Sequence, residues 1–353
     1  MGAEVNAATW LDWTYYHVDL PESHLERVIA LEADRLVNLD LTEEVLEAER
    51  QVVMNERREC VEDDPCETLS EKLWFHLLGE GYPYAHSTIG WMKDIEQLSL
   101  TDCQNFYETC YSPSNIILVV TGAVKAERLI HLIEAYYLTV HSVPNLSLET
   151  PQFFPASKTD YSEPLTLHLE IYAPRLHVGF RTFELSHPDS LVLECLDELL
   201  FEGDSARLYK RLVYDKEVAS SVYSAVPQFR GEAVYEMIVE LLPHQDPQFV
   251  LSQILEELES ISCHGIETAE LERIKLSKEL MSYRSQQTVQ QKGYYLGFWQ
   301  STADDFKQNF TRLNLISEVT SPQIQRVAKY LLTSYLQQVI IAYPQEYLTD
   351  ELK

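Results

Sequence analysis

Apolar residues change their period several times along the chain, and the changes mark the elements. From Asn6 to Leu20, NAATWLDWTYYHVDL is rich in β-branched and aromatic residues and stops at Pro21, so it reads as a strand or hairpin. Helical spacing follows: Ser23 is a candidate N-cap, and Leu25, Val28, Ile29, Leu31 and Leu36 form an apolar stripe. Thr42 opens a second helix with Glu43 and Glu44 in its first turn, which predicts Val45, Leu46, Val52 and Val53 on the inward side. Further helices fit 67–79, 101–110 and 126–137, and NIILVVT (115–121) reads as a buried strand. The period lapses between His141 and Pro164, where Pro144, Pro151, Pro155 and Pro164 punctuate a polar stretch, the best candidate for a linker. Beyond it come two strand segments, LTLHLEIYAP and RLHVGFRTF, and a helix through Leu191–Leu200. The pattern predicts an α+β fold with helices covering sheets.

The second half repeats the order of the first. At an offset of about 225 residues, LTEEVLEAERQVVMNE (41–56) lies over IETAELERIKLSKELM (266–281), pairing Leu41 with Ile266 and Leu46 with Leu271. At an offset of about 221, the segment that ends in NIILVVTG lies over the one that ends in QQVIIAYP, helix first and strand second. Two divergent copies of one domain account for both alignments.

A length of 353 residues suits two such domains, and 45% hydrophobic residues suffice for buried cores. The formal net charge is −29, with 27 acids against nine bases in residues 1–150 alone. Such a surface repels phosphate backbones and anionic headgroups, so a nucleic-acid or membrane-surface role is disfavoured. The longest strongly apolar run, Ile116–Val120, is far short of the roughly 20 residues that a membrane span needs. The first basic residue is Arg27, so the chain as written reads as soluble and untargeted, with its compartment open. The six cysteines form no CxxC pair and read as reduced thiols. Cys103 and Cys110 share a helix face, and such a pair is more often core than ligand; the isolated His86, His177 and His187 read as hydrogen-bonded structural residues.

The two copies disagree in chemistry at one place. Glu49 and Glu56 align with Ile274 and Met281. Seven residues at about 100° each fall about 20° short of two turns, so the carboxylates share a helix face. If that face is buried, as the duplicate suggests, the acids need a cation or a hydrogen-bond partner, which implies a metal site or a buried ion pair. The alternative is a pair of solvated acids on an acidic surface.

At this point several strings are recognisable: GAEVNAATWLDWTYY, ERQVVMNERRE with EDDP after it, YPYAHSTIGWMKDIEQLSLTDCQNFYETCYSPSNIILVVTG, and GDSARLYKRLVYDKEVASSV. Together they resemble the pitrilysin/insulinase family of inverted zincins, closest in pattern to its mitochondrial processing peptidase branch and the bacterial relatives of that branch. The resemblance runs through nearly the whole chain. It implies two homologous α+β domains, each a mostly antiparallel sheet covered by helices: an N-terminal metallopeptidase-like domain over 1–140, a linker over 141–164 and a C-terminal copy over 165–353. It also implies Zn2+, held in the family by two His of an HxxEH helix and a Glu from a later helix, while the Glu of the motif acts as general base. By this resemblance Glu56 is the third zinc ligand, Glu49 an auxiliary acid supporting the ligands, and Asn6 and Ala7 lie on an edge strand that takes up substrate as an added β-strand. An ordinary edge strand is the plainer reading of Asn6 and Ala7.

Two departures limit what the resemblance implies. No HxxEH or HExxH occurs in the 353 residues, and no two of the eleven His are three or four apart. Either Met1 is not the true start or the domain has lost its active-site helix; in both cases the N-terminal domain as written lacks its first strand and helix. The Arg and Tyr that grip substrate from the opposite domain in some members are replaced here by Val213 and Ser220, whereas Arg207 and Tyr209 belong to an RLY motif read as structural. The expectation is a zinc endopeptidase subunit, inactive alone, that binds peptides or unfolded segments. A homologous partner subunit would supply the Arg/Tyr clamp. The alternative is a non-catalytic peptide-binding or scaffolding subunit.

Overall fold

The computed structural model describes residues 2–138, 140, 163–333 and 337–345. In chain order the first elements are β1 (Glu4–Thr9), β2 (Thr14–Asp19), α1 (Leu25–Val37), α2 (Glu43–Arg57), α3 (Pro65–Leu78), α4 (Met92–Gln97), α5 (Leu100–Cys110) and α6 (Ala126–Tyr137). After the expected linker, which lies almost wholly outside the described residues, come β3 (Leu165–Leu169), β4 (Arg175–Arg181), α7 (Pro188–Phe201) and the short α8 (Arg207–Tyr209). Then follow β5 (Ala219–Ala225), β6 (Val234–Leu241), α9 (Pro247–His264), α10 (Thr268–Arg284), α11 (Val289–Ala303), α12 (Gln308–Ser317), α13 (Ser321–Leu331) and β7 (Gln337–Pro344). The fold is α+β.

Two compact units emerge, and both are discontinuous in sequence. The described residues within Met1–Arg57, Thr88–Pro151 and Arg284–Asn309 form the first, and those within Arg58–Ser87, Gln152–Tyr283 and Phe310–Lys353 form the second. The segment 58–87 thus groups with the C-terminal half and 284–309 with the N-terminal half, where the sequence suggested contiguous boundaries near 140 and 165.

The second unit is built on a five-stranded sheet of order β3-β7-β4-β6-β5, parallel only between β3 and β7. Register is fixed by pairs such as Leu176 with Val239 and Gly179 with Glu236. One sheet face sends Leu176, Val178, Phe180, Tyr235, Met237 and Val239 into a core completed from α7, α9 and α13. The opposite face is covered by α3, which accounts for the nearly unbroken burial along β4. Pro65 at N1 and the Asp64 carboxylate, accepting from the N–H groups of Cys66 and Glu67, start α3. Leu69, Leu73 and Leu77 then recur every four residues and point at the sheet.

The first unit has a two-stranded antiparallel sheet, β1-β2. Tyr294 of α11 packs edge-on against Trp13 and Tyr15. Helix α5 is closed by a capping box between Ser99 and Asp102. Several sequence expectations are corrected here. His24, not Ser23, precedes the first α-helix, because Glu22–His24 forms a 3-10 turn. Residues 116–120 form no strand among the described residues, and Ile117 and Leu118 are exposed. A strand needs a ladder partner, and an apolar run alone does not create one. Helix α2 also buries a different face from the one expected: Val45 and Val52 are exposed, whereas Met54 and Arg57 are buried.

Candidate functional site

Helix α2 begins where Thr42 Oγ1 accepts the Val45 N–H at 3.3 Å. Its inward stripe runs through Leu46, Arg50, Met54 and Arg57, spaced at i, i+4, i+8 and i+11. Arg50 is the anchor of that stripe. Its guanidinium donates to Glu47 at 2.9 Å and to the carbonyls of Ile95 and Leu98, at 2.5 and 2.6 Å, at the C-terminal end of α4. The Arg57 guanidinium lies 5.6 Å from the Trp91 ring centroid.

With that stripe inward, Glu49 and Glu56 are carried to the exposed face. They share a face as expected, but it is not a buried one. In the second copy Ile274 is buried while Met281 is 52% exposed, so only one of the two duplicate positions supports burial. Among the described residues no group of three His, Cys, Asp or Glu could hold a metal ion. The residues present therefore do not by themselves fit a zinc centre: Glu56 is a solvated carboxylate without nitrogen ligands beside it.

Asn6 and Ala7 lie in the middle of β1, opposite His17 and Tyr16. All six residues of β1 are exposed. The Trp10 N–H donates to the Trp13 carbonyl at 2.8 Å, which makes 10 and 13 a hydrogen-bonded pair. Alternation along an antiparallel ladder then makes 8/15 and 6/17 bonded pairs and turns the main-chain groups of Val5, Ala7 and Thr9 toward the other edge. No strand occupies that edge among the described residues. The Ala7 N–H is met there by its neighbour's Asn6 Oδ1 at 2.8 Å.

The RLY segment is an ion-pair hub, in keeping with a structural role. Arg207 donates to both Glu270 oxygens at 2.8 and 2.6 Å and to Glu257 at 2.9 Å. Glu257 is shared with Arg211 at 3.1 Å. Hydrogen bonds from Arg207 hold the Glu270 carboxyl below its ordinary range. The expected lone histidines also have partners: His187 Nδ1 accepts the Asp189 N–H at the start of α7, and His177 is wholly buried against Glu236. The grouping around His177 had no signal in the sequence, because His177 and Glu236 are 59 residues apart.

Residues 1–80 match the family model described as Insulinase (Peptidase family M16), and residues 97–278 match the one described as Peptidase M16 inactive domain. The chain belongs to peptidase family M16. This M16 chain is 28% identical over 282 residues to a Helicobacter pylori protein named zinc protease PqqE, a match covering 79% of this chain and 62% of the relative. It is 25% identical over 201 residues to an Arabidopsis thaliana protein named probable mitochondrial-processing peptidase subunit beta, covering 57% of this chain and 37% of that one. The chain thus spans less than two thirds of the length of such curated relatives. A solved structure described as a protease from Helicobacter pylori superposes with a TM-score of 0.89 at 24% identity, over 97% of this chain and 82% of the other. Another, described as a peptidase M16 inactive domain from Pseudomonas fluorescens, gives 0.82 at 16% identity, over 97% and 81%. At these identities the superpositions establish a shared fold. No helix of the described residues is long and apolar enough to cross a membrane.

Proposed function

We propose that this chain is the peptide-binding part of an M16-type zinc endopeptidase and that it has no hydrolytic activity alone. The observation that carries the reading is the open edge of β1. Val5, Ala7 and Thr9 offer main-chain donors and acceptors along a strand whose residues are all exposed. An extended peptide would bind there through main-chain hydrogen bonds, with loose sequence preference, after displacing the Asn6 side chain from the Ala7 N–H. Glu56 is the candidate carboxylate ligand for zinc and Glu49 its supporting acid. Both stand free on α2, so a catalytic metal centre requires further ligands from outside the described residues. Val213 and Ser220 stand where the family's Arg/Tyr clamp would be, which favours a homologous partner subunit that carries the clamp. A non-catalytic peptide-binding subunit is the second reading, supported by the match to the inactive-domain model.

The test is binding of a fluorescein-labelled unfolded peptide library to the chain and to Ala7→Pro. Proline removes the outward N–H while its fixed φ is compatible with an edge strand. The expected outcome is loss of binding by at least about tenfold, which corresponds to about 1.4 kcal/mol. Unchanged binding in a folded Ala7→Pro chain would refute the edge-strand reading.

A further inference from the structure

One polar cluster in the second unit is not used by the peptide-binding reading. Helix α3 lays Cys66, Ser70 and Trp74 along the sheet, at i, i+4 and i+8, over His177 of β4 and Glu236 of β6. Glu236 sits opposite Gly179, whose missing side chain lets Leu73 and Leu77 of α3 come down onto the sheet beside the carboxylate. Its Oε1 accepts from His177 Nδ1 at 2.6 Å and from Ser70 Oγ at 2.8 Å, while Oε2 accepts from Trp74 Nε1 at 3.1 Å. The imidazole is thereby oriented with Nε2 toward Cys66 Sγ, 3.9 Å away. The Tyr223 hydroxyl reaches the same sulfur at 3.2 Å.

That order of groups is the one that activates a thiol: a nucleophile, a base beside it, and a carboxylate that orients the base through its other nitrogen. We propose that Cys66 is a reactive thiol activated by the His177–Glu236 pair, and a site of oxidation by peroxides to a sulfenic acid. His177 is fully buried, yet Cys66 retains partial exposure, so the sulfur is the part of the cluster that solutes reach. Pro65, its neighbour in the chain, lines a cavity of about 420 Å³ together with Tyr172, Arg175, Ser220 and Glu240.

Electrostatics agree with the geometry. Burial pulls the His177 pKa down, but the hydrogen bonds with Cys66 and Glu236 outweigh it and carry it up to about 9. A doubly protonated ring donates to Glu236 through Nδ1 and faces the sulfur with Nε2–H, placed to hand a proton to an oxygen leaving from that sulfur. The other charged or titratable groups around the cluster are Asp64, Glu67 and Glu71 at α3, Tyr223 on β5, and Arg175 and Glu240 near it. The oxidation balances within this set plus peroxide. A sulfur lone pair attacks one peroxide oxygen, the O–O bond breaks, and the departing hydroxide takes the Nε2 proton to leave as water. Sulfur loses two electrons to become the sulfenic acid, and the peroxide is reduced.

The experiment is iodoacetamide labelling of the chain at pH 6 and pH 8.5, followed cysteine by cysteine with mass spectrometry. A second arm exposes the chain to hydrogen peroxide and traps sulfenic acid with dimedone. At pH 6 Cys66 should react about tenfold faster than the exposed Cys60 and Cys263, because its sulfur has the His177 imidazole and the Tyr223 hydroxyl beside it to take up the thiol proton and hold the attacking sulfur. The dimedone adduct should concentrate on Cys66. Tyr223→Phe, which leaves the buried pair intact, should slow labelling several-fold, and His177→Gln should remove the pH 6 reactivity. If Cys66 in the unaltered chain labels at pH 6 no faster than Cys60 and Cys263, the proposal is overturned whatever the variants do.

Discussion

Gly179 of β4 lies directly under Leu73 of α3: a Cβ at Gly179 would stand 2.7 Å from Leu73 Cδ2 and 2.8 Å from Leu77 Cδ1. Both leucines are buried, so neither can swing into solvent to make room. The glycine is thus what lets α3 approach the sheet closely enough for Ser70 and Trp74 to reach Glu236. Gly179→Ala should destabilise the chain by about 1–3 kcal/mol through overpacking, read as a lower urea midpoint. A neutral alanine would show that α3 can lift off without cost.

The contacts of His177 with Cys66 and Glu236 make stability depend on pH in a stated direction. The folded-state pKa of His177, about 9, lies above the ordinary value of 6.5. The contribution is therefore fully present below pH 6.5 and is lost as pH rises toward 9, because the folded state holds a proton that the unfolded state gives up. The expected loss between pH 6.5 and pH 9 is on the order of 2–3 kcal/mol in chemical denaturation. The trend should vanish in His177→Gln, and a chain equally stable at both pH values contradicts a charged His177 held by Cys66 and Glu236. Asp197, which accepts from Tyr235 and Ser224, is pushed up by burial to about 6 and adds a fall in stability between about pH 4 and 6.

Arg207 joins α8 to α9 and α10 through Glu257 and Glu270, with its side chain 23% exposed. Arg207→Ala leaves the mostly buried Glu270 carboxylate without its guanidinium, while Glu257 keeps Arg211, and should cost about 1–3 kcal/mol. Arg207→Lys should recover less than half of that, because an ammonium cannot meet both Glu270 oxygens and Glu257 in one plane. Thermal melts of the three chains, followed by circular dichroism, measure it. Equal stability of the Lys and Arg chains would show that only charge, and not the fork geometry, matters there.

Local rules carried much of the fold. Helices over 65–78, 100–110 and 126–137 were placed within two residues because caps and periodicity are local, as at Asp64–Pro65 and Ser99–Asp102. The repeat was legible too: the 221-residue offset maps α5 onto α13 residue for residue. What failed depended on partners distant in sequence. Residues 116–120 have the composition of a strand but no ladder among the described residues, while their counterpart β7 pairs with β3 and β4. The exposure of Glu49 and Glu56 follows from Arg50 choosing the carbonyls of Ile95 and Leu98, a contact 45 residues away that no periodicity encodes. The assembly of Cys66, His177 and Glu236 is of the same kind.

The duplicated helices α2 and α10 give the last prediction, because equivalent positions now differ in environment as well as in residue type. Ile274 is fully buried in the second unit's core, so Ile274→Ala should cost about 2–4 kcal/mol by leaving a cavity. Its counterpart Glu49 and the following Glu56 are solvated, so Glu49→Gln and Glu56→Gln should each change stability by less than about 0.5 kcal/mol. For the same reason EDTA should not shift the melting temperature of this chain, and added zinc should bind at well below one tight equivalent at neutral pH. A metal that bound only the folded state at 100 times its dissociation constant would add about 2.7 kcal/mol and raise the melting temperature measurably. Stoichiometric zinc that stabilises the chain and is lost in Glu56→Gln would mean that Glu56 finds its other ligands without help from outside the described residues, and the reading of this chain as inactive alone would fall with it.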